Sequence, residues 1–303
     1  MSRRKPDTEP APLERGLVSA YERRRPGVRV TLWCINAFLF CFLVLACLGP
    51  MYLLLKSAIT PTQDIIRTPL AFFPHGVAWS NLSDAWNKVQ ISHYFLNTVV
   101  ICAGSWFFQL LVATTGGYVL SVLRPAYAVV LNALVVCTLF VPMVVLLVPL
   151  YLTVLHPPLI GTSLLNTVWA VWLPAGASAF NVVIVTRFFD SLPREVFEAA
   201  RVDGAGPFAL FWRIVLPMSK PILGVVSVFA FVAAWKDFLW PMLVLKKTSI
   251  QTLSVRLPAI QSHTDLGVFL AALAISTLVP VVFFLVFQKF FLSGAGMGGA
   301  VKG

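Results

Sequence analysis

Long uncharged stretches constrain this chain more than any other feature. No charged residue occurs between Arg29 and Lys56, Lys88 and Arg124, Arg124 and Arg187, Lys220 and Lys236, or Asp265 and Lys289. A helix needs about 20 apolar residues, at ~1.5 Å each, to cross the hydrocarbon core of a bilayer. The run between Arg124 and Arg187 is long enough for two crossings. It is interrupted at His156-Pro157-Pro158-Leu159-Ile160-Gly161, a turn signal that a continuous helix does not tolerate. The pattern predicts an all-α polytopic membrane protein with six transmembrane helices, over roughly 30–56, 91–122, 127–155, 163–188, 218–244 and 267–291.

Composition agrees. Of 303 residues, 58% are hydrophobic and 12% charged, whereas soluble domains run at about 45–50% apolar and about 25% charged. So little charge cannot wet a globular surface, which excludes a soluble enzyme, a disordered chain and a nucleic-acid-binding domain. Cys34, Cys41, Cys47, Cys102 and Cys137 all lie in apolar runs without metal or redox spacing, and are read as small packing residues. The apolar run Val30–Leu55 is longer than the hydrophobic region of a signal peptide and lacks a cleavage site, so it is expected to persist as the first span. Residues 1–29 then form a basic, disordered arm, 30–292 the six-helix domain, and 293–303 a Gly-rich tail.

The charges that remain indicate orientation, because Lys and Arg collect on the cytoplasmic side. One side would hold residues 1–29, Arg124, the 187–220 segment, Lys289 and Lys302, with 16 basic and 8 acidic residues. The other would hold Lys56, Arg67, Lys88, Lys246, Lys247 and Arg256 against Asp64, Asp84 and Asp265, a net +3. Both termini are therefore expected in the cytoplasm. The arm reads as a topology signal that touches anionic membrane lipid, not nucleic acid.

The segment Asp190–Pro217 stands out among the polar connections. Pro193 suits the first turn of a helix over Arg194–Asp203, and Gly204 supplies a stop. Gly206-Pro207 restarts a second helix, which would place Phe208, Phe211, Trp212 and Val215 on one apolar face. On the first helix, Ala199 and Ala200 would form a nearly bald surface rimmed by Glu195, Glu198, Arg201 and Asp203. Such a surface lets another protein's backbone approach closely, although an ordinary polar loop helix would look similar.

Glu198-Ala199-Ala200, then Gly204 after three intervening residues, then Ile214, Leu216 and Pro217 after nine more, resembles the EAA loop of binding-protein-dependent ABC importer permeases. Other stretches resemble the carbohydrate-uptake members of that family, typified by the second membrane subunit of the maltose importer. They include Tyr94-Phe95-Leu96-Asn97-Thr98, Gly117-Tyr118, Val148-Pro149-Leu150-Tyr151, Leu164-Leu165-Asn166-Thr167, Leu173-Pro174, Asp237-Phe238-Leu239-Trp240-Pro241 and Gly299-Ala300-Val301-Lys302-Gly303. The resemblance implies that residues 190–217 form a coupling loop docked on a cytoplasmic ATPase. It gives Glu198, Ala199, Ala200, Asp203, Gly204, Ile214, Leu216 and Pro217 the ATPase-coupling role. It also implies a second homologous permease, two ATPase copies and an extracytoplasmic solute-binding protein in a bacterial cytoplasmic membrane. The solute would be a carbohydrate or polyol, moved by alternating access; a glycerol phosphate ester is the alternative.

No G-x-x-x-x-G-K-[ST] string is present, so ATP and Mg would be bound by the partner ATPase, with no cofactor, catalytic residue or metal site in this chain. Gly294-x-Gly296-x-x-Gly299 matches a dinucleotide fingerprint only as a string, without the strand–turn–helix context that the chemistry needs. Charge within a span is costly and marks a cavity, partner or mechanism. Lys236 and Asp237 fall inside the fifth predicted span, so they are candidates for the translocation pathway, against a structural pair near a helix end broken by Pro241. A secondary transporter acting alone would show broken-helix repeats and would have no use for the coupling loop.

Overall fold

The structure, a computed structural model, describes residues 25–158 and 161–297. All regular elements among the described residues are helical. The first, α1 (Pro26–Ala58), belongs through Leu53 to a unit of its own, where Trp33, Phe38, Phe40 and Leu45 are exposed. In the second unit, short helices α2 (Thr62–Arg67) and α3 (Ser80–Asn87) precede α4 (Ile91–Tyr118), which continues through a π-helical turn, Val119–Leu123. Next come α5 (Ala128–Thr138), α6 (Met143–Leu155), α7 (Trp169–Gly176) and α8 (Ala179–Asp190). The loop beyond α8 holds α9 (Arg194–Val202), α10 (Pro207–Leu210), a second π-helical turn, Phe211–Val215, and α11 (Leu216–Met218). The chain ends with α12 (Lys220–Lys236), α13 (Leu239–Val244), α14 (Leu253–Ile260) and α15 (Leu266–Met297).

Among the described residues, three helices are long and apolar enough to cross a membrane: α1, α4 through Leu123, and α15 over Leu266–Gln288. The other expected crossings are not single helices. The predicted span 127–155 turns by 109° between α5 and α6. Pro142 causes this break: it has no N–H to donate, it adopts extended geometry (ψ 132°), and it starts α6. Pro149 lies inside α6 without breaking it. The predicted span 163–188 bends by 41° at Ala177-Ser178, where the Ser178 hydroxyl caps α8 by accepting from Asn181 N–H. In the predicted fifth span, α12 stops at Lys236 and α13 starts at Leu239. Counting each bent pair as one crossing gives up to six, the third pair being Pro207–Met218 with Lys220–Lys236, bent by 79°, and not α12 with α13. The turn signal expected at 156–161 lies partly outside the described residues.

At the centre of the second unit, α4 packs against α7, α8 and α12. Close approach to α8 depends on Gly117, where a Cβ would fall 2.9 Å from Val185 and 3.2 Å from the Thr186 backbone nitrogen. A buried amide pair joins the same helices, with Asn181 Nδ2 donating to Gln109 Oε1 at 2.7 Å. Further along α4, the Thr98 hydroxyl accepts from Leu253 N–H at 2.8 Å and so fixes the start of α14. The Trp240 indole N–H donates to Ala170 O at 2.9 Å, joining α13 to α7. Of the five cysteines, Cys102 is buried, whereas Cys34, Cys41, Cys47 and Cys137 are exposed.

The helix α15 extends through Gly294 and Gly296 to Met297, so the first residues assigned to a Gly-rich tail are helical. Residues 298–303, and the arm through residue 24, lie outside the described residues.

Candidate functional site

The segment linking α8 to α12 is built around a single well-stopped helix. Pro193 stands at the N-cap of α9 with extended geometry (φ −58°, ψ 124°), one position ahead of the first-turn place expected for it. At about 100° per residue, Phe197 and Ala200 fall on one face of α9. Both are buried against Val185, Phe189, Leu210 and Phe211. This corrects the expected Ala199–Ala200 surface, because Ala200 is only 9% exposed and belongs to the core. The exposed residues of α9 and its C-cap are Arg194, Glu195, Val196, Glu198, Ala199, Arg201, Val202 and Asp203. Val202 is an apolar side chain on this charged face, 88% exposed against 37% for Val196.

Gly204 ends α9 in a left-handed conformation (φ +84°). Its N–H donates to Arg201 O at 3.1 Å, and Ala205 N–H donates to Ala200 O at 2.9 Å. Together these bonds make a Schellman cap, which satisfies two carbonyls that the helix would otherwise leave free. Ala205 packs into the same core as Ala200, supplying the apolar contact that usually accompanies such a cap.

Beyond the cap the chain departs from the expected second helix. The π turn at Phe211–Val215 uses i→i+5 bonds, so residues three apart no longer share one face, while residues four apart still do. Phe211 and Val215 are buried, whereas Phe208 and Trp212 are exposed. The latter two line an apolar groove of about 760 Å³ with Trp106, Phe107, Leu110 and Tyr118. Of the remaining motif positions, Ile214 and Leu216 pack against the core, while Pro217 is exposed in α11.

Four side chains outside the motif tie this loop to α4. The Tyr118 hydroxyl donates to Pro207 O at 2.8 Å, and its ring lies 5.0 Å from that of Phe211. Asp190 Oδ1 accepts from Ser121 Oγ at 2.8 Å and from an Arg124 guanidinium nitrogen at 2.7 Å. These last three residues border a cavity of about 90 Å³ shared with Arg194, Glu198 and Arg201 of α9. Sequence reasoning used Arg124 only as a topology charge. Its isolation in an otherwise uncharged stretch from Lys88 to Arg187 was the available signal.

Lys236 and Asp237 are not neighbours within a helix, as the fifth-span reading required. Lys236 ends α12 and is exposed; Asp237 adopts extended geometry (ψ 121°) in the break before α13. The Asp237 carbonyl accepts from Ser254 Oγ at 2.6 Å, and its carboxylate faces Trp240 N–H at 3.5 Å. Among the described residues no ion pair joins the two. The helix break therefore lies at Asp237, ahead of Pro241. In the 246–266 connection, Lys246 and Lys247 are exposed as expected. Arg256 is half-buried instead, with its guanidinium carbon 5.4 Å from the centre of the Tyr94 ring.

Residues 113–294, which include this loop and its ties, match the family described as "binding-protein-dependent transport system inner membrane component". The chain belongs to that family. It is a membrane-spanning permease subunit of an ABC importer, a transport component and not an enzyme, and it works with an ATPase, a binding protein and a second permease. The melibiose/raffinose/stachyose import permease MelC of Bacillus subtilis is 29% identical over 84% of this chain and 91% of its own length. AraQ of the same organism, an arabinooligosaccharides transport system permease, is 29% identical over 93% of this chain and 99% of its own length. UgpE of Yersinia pestis, an sn-glycerol-3-phosphate transport system permease, is 28% identical over 83% and 91%. A chain in the crystal structure of a bacterial ABC transporter involved in importing the acidic polysaccharide alginate shares the fold, with a TM-score of 0.75 at 20% identity over 88% of this chain and 98% of that one.

Proposed function

We propose that this permease imports a carbohydrate or polyol, and that residues 190–217 are its coupling loop. The observation that carries the loop assignment is the outward face of α9. Val202 is almost fully exposed beside Ala199, between Glu195, Glu198 and Asp203, on a helix held rigidly by Phe197, Ala200 and the Gly204 cap. An apolar side chain on a charged and otherwise exposed face suits insertion into a partner's groove, and small neighbours let the groove come close. The acidic rim would pair with basic groove residues of the ATPase. ATP-driven closure of two ATPase copies would then move α9 and reorient a cavity between this subunit and a homologous permease. In this reading both termini and the loop are cytoplasmic, and the extracytoplasmic protein delivers solute to the opposite face.

The relatives named for melibiose and arabinooligosaccharides support a carbohydrate. The solute panel should also contain glycerol 3-phosphate, for which another relative is named. The test is uptake and binding-protein-stimulated ATP hydrolysis by the complete importer carrying Val202→Glu. The substitution puts a fourth acidic side chain on an already exposed position, so folding should tolerate it while docking should not. Loss of both activities at wild-type membrane abundance is expected. Wild-type uptake would remove the α9 face from the coupling role.

A further inference from the structure

The helix α9 is joined to the rest of the chain through two connections, and each is bonded to the same end of α4. On the entering side, only Ser191, Leu192 and Pro193 separate Asp190 from Arg194. Asp190 is held by Arg124 and Ser121, at 2.7 and 2.8 Å. On the leaving side, Pro207 O is held by the Tyr118 hydroxyl at 2.8 Å. All three donors lie in the short stretch Tyr118–Arg124 that closes the α4 run.

That stretch is a firm anchor. Arg124 takes a left-handed conformation (φ 45°) that non-glycine residues seldom adopt. Its own N–H donates to Val119 O at 3.0 Å, and its Nε donates to Ser121 O at 2.7 Å, so the π turn is closed by both backbone and side chain. A strained residue persists where its surroundings over-determine it. Asp190 thus grips a fixed end of α4 and not a freely swinging arginine. Moreover, π-helical turns flank the contact on both partners, Val119–Leu123 on one and Phe211–Val215 on the other. Such turns recur at functional sites.

We propose that Asp190, Arg124, Ser121 and Tyr118 are positioning residues that make this end of α4 the receiver of coupling-loop movement. The proposal rests on the coupling-loop reading above. With both connections bonded to α4, a push on α9 displaces the helix against which α7, α8 and α12 pack. Without those bonds the connections themselves would absorb the push. The Arg124–Asp190 pair is partly exposed, 45% and 30% at the two side chains, and such pairs add little to stability. Its removal should therefore spare assembly and act on coupling.

The test uses the complete importer in phospholipid vesicles. Asp190→Asn and, separately, Tyr118→Phe are expected to leave the amount of assembled complex unchanged. Each should lower uptake and binding-protein-stimulated ATP hydrolysis by about fivefold or more, the scale of an ordinary coupling free energy. Asp190→Glu should recover most of the loss, a rescue that a merely space-filling role would not show. If Asp190→Asn fails to assemble, Ser121→Ala and Tyr118→Phe, which keep the ion pair, decide the matter by the same readouts. Stimulation and uptake within about twofold of wild type in the assembled variants would overturn the proposal. Val202→Glu serves as the control. If it uncouples and the α4 variants do not, only the present inference fails; if it too is silent, the coupling-loop reading fails with it.

Discussion

Replacing Gly204 by alanine isolates the contribution of one backbone conformation to the proposed coupling loop. An ideal Cβ at this position meets no atom within 4 Å, so the substitution makes no clash. Only the torsion angle matters: φ is +84°, in the region that an L side chain disfavours. Holding alanine there costs about 1–2 kcal/mol, which lowers the population of the capped form relative to uncapped ones by about 5–30-fold. Loss of the cap frees the carbonyls of Ala200 and Arg201, which now accept from Ala205 and Gly204, and lets the end of α9 fray next to Val202. In the proposed coupling role, the apparent affinity of the permease for its ATPase should fall by up to the same factor, since only the capped form would present the docking face. The control is two residues away. Gly206 is equally uncrowded, but its φ of −69° and ψ of 167° are open to any residue. Gly206→Ala should therefore be neutral or stabilising by about 0.4–1 kcal/mol. Titrating ATPase onto purified permease in detergent, with uptake in vesicles alongside, measures both variants. Equal behaviour of Gly204→Ala and Gly206→Ala would refute the argument, and so would a Gly204→Asn variant worse than Gly204→Ala, because asparagine tolerates the left-handed region better.

Two further expectations follow from the packing. Gly117→Val should separate α4 from α8, because its Cβ would press on Val185 and on the Thr186 backbone; a loss of about 1–3 kcal/mol, read as a lower melting temperature in detergent, is expected, and an unchanged temperature would contradict the close approach. Asp237→Ala should remove the acceptor facing Trp240 N–H and lower stability by at most about 1 kcal/mol without altering the apparent Km for solute. A change of Km at unchanged stability would place the carboxylate in the translocation pathway instead.

The same pattern of residues was informative in some places and misleading in others. Charge-free runs located the apolar segments because a membrane helix must satisfy its backbone internally and cannot pay for stray charge. They said nothing about continuity: composition is equally apolar on both sides of Pro142, yet the chain turns by 109° there. Asp237 was misplaced for a related reason. A charged residue inside an apolar run does not announce that the helix has already stopped at Lys236.

The coupling loop divides in the same way. Gly204 as a stop, Pro207 as a start and the Glu198-Ala199-Ala200 pattern are local properties, written in backbone preferences and spacing, and could be read directly. Which alanine faces out is not local. Ala200 is buried because Phe197 beside it finds Val185 and Phe189 on α8, and that choice leaves Ala199 and Val202 outside. The π turn that sends Phe211 inward and Phe208 outward depends equally on what lies next to it, chiefly Tyr118. The apolar segments and the existence of a capped loop helix were thus determined by the sequence, since both follow from local hydrogen bonding and transfer of charge. The tertiary structure decided the outward face of that helix and the bonds that join Asp190 and Pro207 to α4, because partners 66 to 89 residues apart meet only when the helices pack.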